Sequence, residues 1–137
     1  MRAWDILMIT ALAGGALLLA GAEISSGGQR LSVPLPDVSA MNRTEADMLA
    51  RQLAEIEVIT ANCPDYAITD GEWTLLSGTG DLLAAQIGVD PTQYERDYFG
   101  PAFTLLDDPS SCDRIGPEAR PLIDRLIRMG GGTKLQR

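Results

Sequence analysis

The sequence predicts a mainly α protein: one N-terminal transmembrane or signal helix, an extended linker, and a small disulfide-stapled bundle of about four short helices. Three observations predict it. Ile6 to Ala22 form one charge-free apolar run, ILMITALAGGALLLAGA. Further on, apolar residues recur at helical spacing between cap and stop signals, and no segment sustains strand alternation. Cys63 and Cys112 are the only cysteines. The chain divides into residues 1–24 (anchor or signal), 25–41 (linker) and 42–137 (acidic helical domain).

The run holds seventeen residues between Asp5 and Glu23. As a helix it spans roughly 26 Å at about 1.5 Å per residue. That is near the lower limit for crossing a bilayer core of about 30 Å. Ile6, Leu7, Leu17, Leu18 and Leu19 would belong to the membrane span, Trp4 would sit at the headgroup level, and Gly14-Gly15 would allow another membrane helix to approach closely. The competing reading is a cleaved signal, with Ala20-Gly21-Ala22 as the cleavage site and release after Ala22. Either way Arg2 marks the cytoplasmic side and the rest of the chain is exported.

Residues 25–41 (SSGGQRLSVPLPDVSAM) have no helical period, and Val33-Pro34-Leu35-Pro36 favours extended geometry. The first helix starts near Asn42 or Thr44, with Thr44 and Asp47 as an approximate capping box. Leu49, Leu53, Ile56 and Ile59 share one face, and Pro64 ends the helix at Asn62. A second helix begins after Thr69, whose spacing to Glu72 fits a capping box. Its apolar face takes Trp73, Leu76, Leu83 and Ile87, with Leu75 and Leu82 beside it. Gly78 and Gly80 mark a break or a close crossing, and Gly88 is the stop. Asp90-Pro91 starts a third helix, which carries Tyr94, Tyr98 and Phe99 and ends at Gly100-Pro101. A further short turn reaches Phe103 and Leu106, and a loop over 107–111 leads to Cys112. The last helix starts near Pro117 or Pro121 and buries Leu122, Ile123, Leu126, Ile127 and Met129. Gly130-Gly131-Gly132 ends it, and the tail to Arg137 reads as mobile.

The net charge is −8, and the chain has no histidine. That absence removes the usual general base and most metal and haem ligand sets. Residues 45–108 carry thirteen acids against Arg51 and Arg96, whereas residues 113–137 are net basic. Nucleic acid is therefore an unsuitable partner. The acids read as a solvated surface or as a docking face for a cationic protein. Export places Cys63 and Cys112 in an oxidising compartment, where a lone pair becomes a disulfide. Gly78-Thr79-Gly80 lacks the context of a phosphate loop, and no calcium-loop spacing occurs. Asp107-Asp108 and the Glu55/Glu57 pair read as solvation and capping. Trp73, Tyr94 and Tyr98 read as core.

With Asn62-Cys63-Pro64, and Cys112 ahead of an amphipathic last helix, residues 42–129 resemble small exported two-cysteine helical proteins of Rhodobacter-type alphaproteobacteria. The resemblance implies the helical fold and the disulfide, and it supplies no catalytic residue. The expectation is a non-catalytic accessory or assembly subunit, without cofactor, of a larger integral membrane complex. It would sit in the bacterial inner membrane, N-terminus cytoplasmic and domain periplasmic. A respiratory or photosynthetic electron-transfer complex is a suitable host, because an acidic periplasmic face suits a basic c-type cytochrome. The alternative is a secreted, soluble periplasmic binding or inhibitory protein.

Overall fold

Helix α1, Arg43–Asn62, lies at the centre of the packing. The computed structural model describes residues 31–137. The run from Ile6 to Ala22, including Gly14-Gly15, lies outside the described residues. Among the described residues, no helix is long and apolar enough to cross a membrane.

The α1 N-terminus is held by a capping box two residues earlier than the Thr44/Asp47 pair predicted from sequence. The Asn42 side chain accepts from the Glu45 amide at 2.9 Å, and Glu45 accepts from the Asn42 amide at 3.0 Å. Asn is as good an N-cap as Thr, and the earlier start frees Asp47 for Arg51, 2.9 Å away. Leu49, Leu53, Ile56 and Ile59 are buried as expected, but so are Ala46, Ala50, Ala54, Glu57, Val58 and Thr60. The helix touches α2, α4, α5 and the turns between them, so its last two turns have little solvent-facing side. Thr60 meets its own need by donating to the Ile56 carbonyl at 2.7 Å.

Helix α2, Asp70–Gln86, starts at the Thr69/Glu72 capping box and ends before Gly88, whose φ of 75° supplies the left-handed turn. Gly78 and Gly80 do not break it. A Cβ at Gly78 would meet Leu35, and one at Gly80 would run into the Tyr94 hydroxyl. Both glycines mark close approach, one of the two readings left open from sequence. Leu75 and Leu76 are fully buried, whereas Trp73 is 46% exposed. Trp73 thus leaves the apolar face assigned to it, and Leu75, about 200° further round the helix, takes the core position.

Helix α3, Pro91–Tyr94, begins with Asp90 accepting from the Gln93 amide at 2.8 Å. It does not end at Gly100-Pro101 as predicted. A π-turn over Glu95–Phe99, closed by the Gly100 amide donating to the Glu95 carbonyl, carries it into α4, Gly100–Thr104. Pro101 brings no N–H, and the Asp97 carbonyl instead accepts from Arg51 Nη1 at 3.3 Å. Cys112 lies inside a short helix, α5, Ser111–Ile115, and not at the end of a loop. Helix α6, Ala119–Arg128, buries Leu122, Ile123 and Leu126 but leaves Ile127 exposed, against the sequence assignment.

The disulfide forms. Cys63 caps α1, Cys112 sits on α5, and their Cα atoms are 5.8 Å apart. Tyr66, between them in the fold, donates to Asp113 at 2.7 Å and packs against Gly116, where a Cβ would clash with its ring.

Residues 31–41 are extended, as Val33-Pro34-Leu35-Pro36 predicts, yet they lie against the domain. Val33 and Val38 join the core. Asp37 donates its amide to the Met129 carbonyl at 2.9 Å, and Gly132 donates to the Pro34 carbonyl at 2.9 Å. The tail predicted to be mobile pairs with this segment: Ser32 and Gln136 exchange two backbone hydrogen bonds of 2.9 and 2.8 Å. These bonds give both termini of the domain the partners that their exposed backbone would otherwise seek in water.

Candidate functional site

Helix α2 presents a stripe of Trp73, Ser77, Asp81 and Ala84 at spacings of four, four and three residues. The stripe faces away from the core leucines and forms one wall of a cleft of about 680 Å³. The opposite wall comes from the helix that starts at Pro91. In a regular α-helix, residues five apart point about 140° away from each other. The π-turn widens the helix so that Tyr94 and Phe99 stay on one side, with ring centroids 5.2 Å apart in an edge-on arrangement. Phe103 continues that wall, 6.4 Å from Phe99. The sequence anomaly at Gly100-Pro101 is thus associated with the cleft's shape. The π-turn sits at the cleft, as such turns often do at functional sites.

Glu57 of α1 borders the cleft. It is only 4% exposed, and among the described residues its Oε2 has no hydrogen-bond partner. Burial pushes its carboxyl up to about 8, and the nearby carboxylates of Asp81 and Glu95 push in the same direction. At neutral pH it is therefore mostly protonated. The sequence placed Glu57 among solvated acids, and the structure overturns that. Alternation with Ile56 and Val58 gave no warning, because only the packing of α2 and of the π-turn against α1 removes the solvent.

Tyr94 is the second orphan. Its hydroxyl is buried against α2, in the space left by the missing Cβ of Gly80, and makes no hydrogen bond among the described residues. Burial, followed by the charge of Glu57, raises its pKa. Tyr94 and Tyr98 are both core residues, as predicted. Tyr98 differs in being satisfied: its hydroxyl donates to Asp47, and Arg51 stacks 4.3 Å from its ring centroid. The hydrogen bond from Tyr98 holds Asp47 below the usual carboxylate range.

Three acidic side chains, Glu57, Asp81 and Glu95, therefore border one cleft that, among the described residues, no cation lines. Among the described residues, no group of acids and cysteines converges closely enough to hold a metal ion. Several other acids are already engaged. Glu72 pairs with Arg120 across α2 and α6, Asp97 pairs with Arg96 at 2.8 Å, and Asp108 lies 3.6 Å from Arg114. Asp107 and Asp108 are exposed, in keeping with a solvated pair. Neither Cys63 nor Cys112 lines the cleft.

A second, shallower cleft of about 520 Å³ adjoins the first and shares Trp73, Ser77 and Asp81 with it. Its far side is built by Leu31, Val33 and Leu35 of the extended segment. Leu31, Leu35, Trp73 and Phe103 are between 40 and 49% exposed. The one-turn spacing of Trp73, Ser77 and Asp81 was the available sequence signal, with Trp73 bordering the face assigned to Leu76, Leu83 and Ile87. The chain matches no family model, no curated protein and no solved structure.

Proposed function

We propose that the chain is a non-catalytic accessory or assembly subunit of a larger membrane complex, anchored through Ile6 to Ala22, whose periplasmic domain docks a basic protein. One observation supports this most: the two adjoining clefts expose Leu31, Leu35, Trp73 and Phe103 beside the carboxylates of Asp81 and Glu95. Large apolar side chains grouped on a surface mark interaction sites. Acids interleaved with them favour a cationic partner by steering and by complementarity. The occupant is an apolar segment of a partner protein that carries lysine or arginine, as a c-type cytochrome of an electron-transfer complex would present.

Extraction of native membranes in mild detergent tests it. The chain should co-migrate with a larger assembly that disperses at high salt, and a chain that runs alone contradicts the reading. Cleavage after Ala22 would favour the alternative, a soluble periplasmic binding protein using the same clefts. The N-terminal sequence of the native protein separates the two, since a mature start at Glu23 removes the anchor.

A further inference from the structure

We propose that residues 90–110 form a flap that opens when Glu57 loses its proton, so that rising pH takes down one wall of the larger cleft. The device belongs to the domain alone; its use, the release of whatever the cleft holds, rests on the docking reading.

Four observations carry the inference. First, the closed packing has no place for an ionised Glu57. The residue is 4% exposed, and its buried Oε2 has no partner among the described residues. The charged groups facing it are Asp81 of α2 and Glu95 of the π-turn, both acids, and Tyr94 of α3 is uncharged. Arg51 and Arg96, on α1 and the π-turn, are engaged by Asp47 and Asp97. A buried carboxylate without a counter-charge is costly, so it is either neutralised or returned to water.

Second, the segment is weakly held. Its helix buries Tyr94, Tyr98 and Ala102, and the Tyr94 hydroxyl is itself unsatisfied. Opening hydrates that hydroxyl as well as the carboxylate. Two side-chain hydrogen bonds tie the segment to α1, Tyr98 to Asp47 and Arg51 to the Asp97 carbonyl, and Asp47 and Arg51 are both partly exposed. Helices α1 and α2 pack far more extensively on each other. Third, the segment runs between two fixed ends. Behind it, Gly88 turns the chain at a φ of 75° and the Val89 amide donates to the Ala84 carbonyl at 2.8 Å. Ahead of it, Cys112 is bonded to Cys63. Residues 90–92 and 106–110 are exposed and free to absorb a hinge motion. Fourth, the segment supplies Pro91, Tyr94, Glu95, Phe99 and Phe103 to the cleft, so its departure removes that wall.

The sign follows from proton linkage. Closed, Glu57 holds its proton up to about pH 8; open, its carboxyl returns to the ordinary 4.5. The open form binds fewer protons between those values. Its population should therefore rise about tenfold per pH unit from pH 5 to 8 and level off above, where both forms are ionised.

Hydrogen exchange of the full chain in lipid nanodiscs tests this from pH 5 to 9, read as protection factors so that the intrinsic pH dependence divides out. Protection at Tyr98, Gly100 and Ala102 should fall about tenfold per unit up to pH 8 and then level. At each pH it should stay below that of Leu53, Leu76 and Leu83, because the flap opens without the rest of the domain. Glu57→Gln should abolish the fall. The exposed pair Asp81→Asn with Glu95→Gln should keep it but make it level off at lower pH. Equal protection of all six amides, or a fall that neither variant alters, would overturn the proposal. A chain without a docking partner would leave the exchange pattern unchanged, and a rigid flap would leave the docking result unchanged, so the two readings fail separately.

Discussion

Replacing Glu57 by Gln should change the pH dependence of stability more than any other single substitution in the domain. The ordinary value for this carboxyl is 4.5, and in the fold it rises to about 8. Between those values the unfolded chain has lost the proton and the folded chain keeps it. The folded state binds more protons, so stability falls as pH rises through the window. Each unit corresponds to about 1.4 kcal/mol, so wild type should lose up to about 4 kcal/mol between pH 5 and pH 8. That is a large share of the roughly 5–15 kcal/mol typical of a domain. The window is otherwise quiet, because the chain has no histidine. Glu55 is also raised by burial and adds a weaker slope of the same sign to both proteins. Urea unfolding at half-unit steps from pH 5 to 9 provides the assay. Glu57→Gln keeps the shape and removes the ionisation, so its stability should be nearly flat and should exceed that of wild type at pH 8. A flat wild-type profile, or the same slope in both proteins, would refute the buried-carboxyl account.

Other consequences can be checked by the same unfolding measurement. Cys63→Ser with Cys112→Ser opens a loop closed across 49 residues and should cost about 4 kcal/mol in the chain-entropy account. Gly80→Ala forces the Tyr94 hydroxyl out of its seat. It should cost about 1–3 kcal/mol as an overpacking change and should shift the resonances of Tyr94 and Phe99. Arg120→Ala removes the partner of Glu72, but Arg120 is 59% exposed, so the loss should stay below about 1 kcal/mol. Arg120 holds the Glu72 pKa down. That contribution is present above the unfolded pKa and disappears as pH falls through the folded one. Val38→Ala, at a residue 2% exposed in the extended segment, should cost about 1–2 kcal/mol. A flexible tether would show no change.

The helices were legible because their signals are local. Thr69/Glu72, Asp90-Pro91, Asn62-Cys63-Pro64 and Gly88 each act within one turn, and the structure keeps all of them. The disulfide followed from the cysteine count and from the expected export. The misassignments share a different cause. Glu57 looked like a surface acid because its own helix offers it a polar side, and α2 and the π-turn close that side only in three dimensions. Trp73 looked like core because hydrophobicity ranks it there, yet Leu75 and Leu76 fill the space first. Gly100-Pro101 looked like a stop because a regular α-helix cannot absorb the missing donor, whereas a π-turn with Arg51 as substitute donor can. The mobile tail became a paired one because Ser32, a hundred residues away, supplies its hydrogen bonds. The cleft inherits these non-local effects: the spacing of Trp73, Ser77 and Asp81 lies in the sequence, but Trp73 was assigned to the core and the cleft was not predicted.

The docking claim is tested most directly by photo-crosslinking from position 73 in native membranes, with p-benzoylphenylalanine in place of Trp73. The account predicts one crosslinked partner, joined through a segment rich in lysine or arginine. It also predicts that the crosslink weakens with salt and is lost in the charge-reversed variant Asp81→Lys with Glu95→Lys. A chain that crosslinks to nothing, or a crosslink indifferent to salt and to charge reversal, would contradict it.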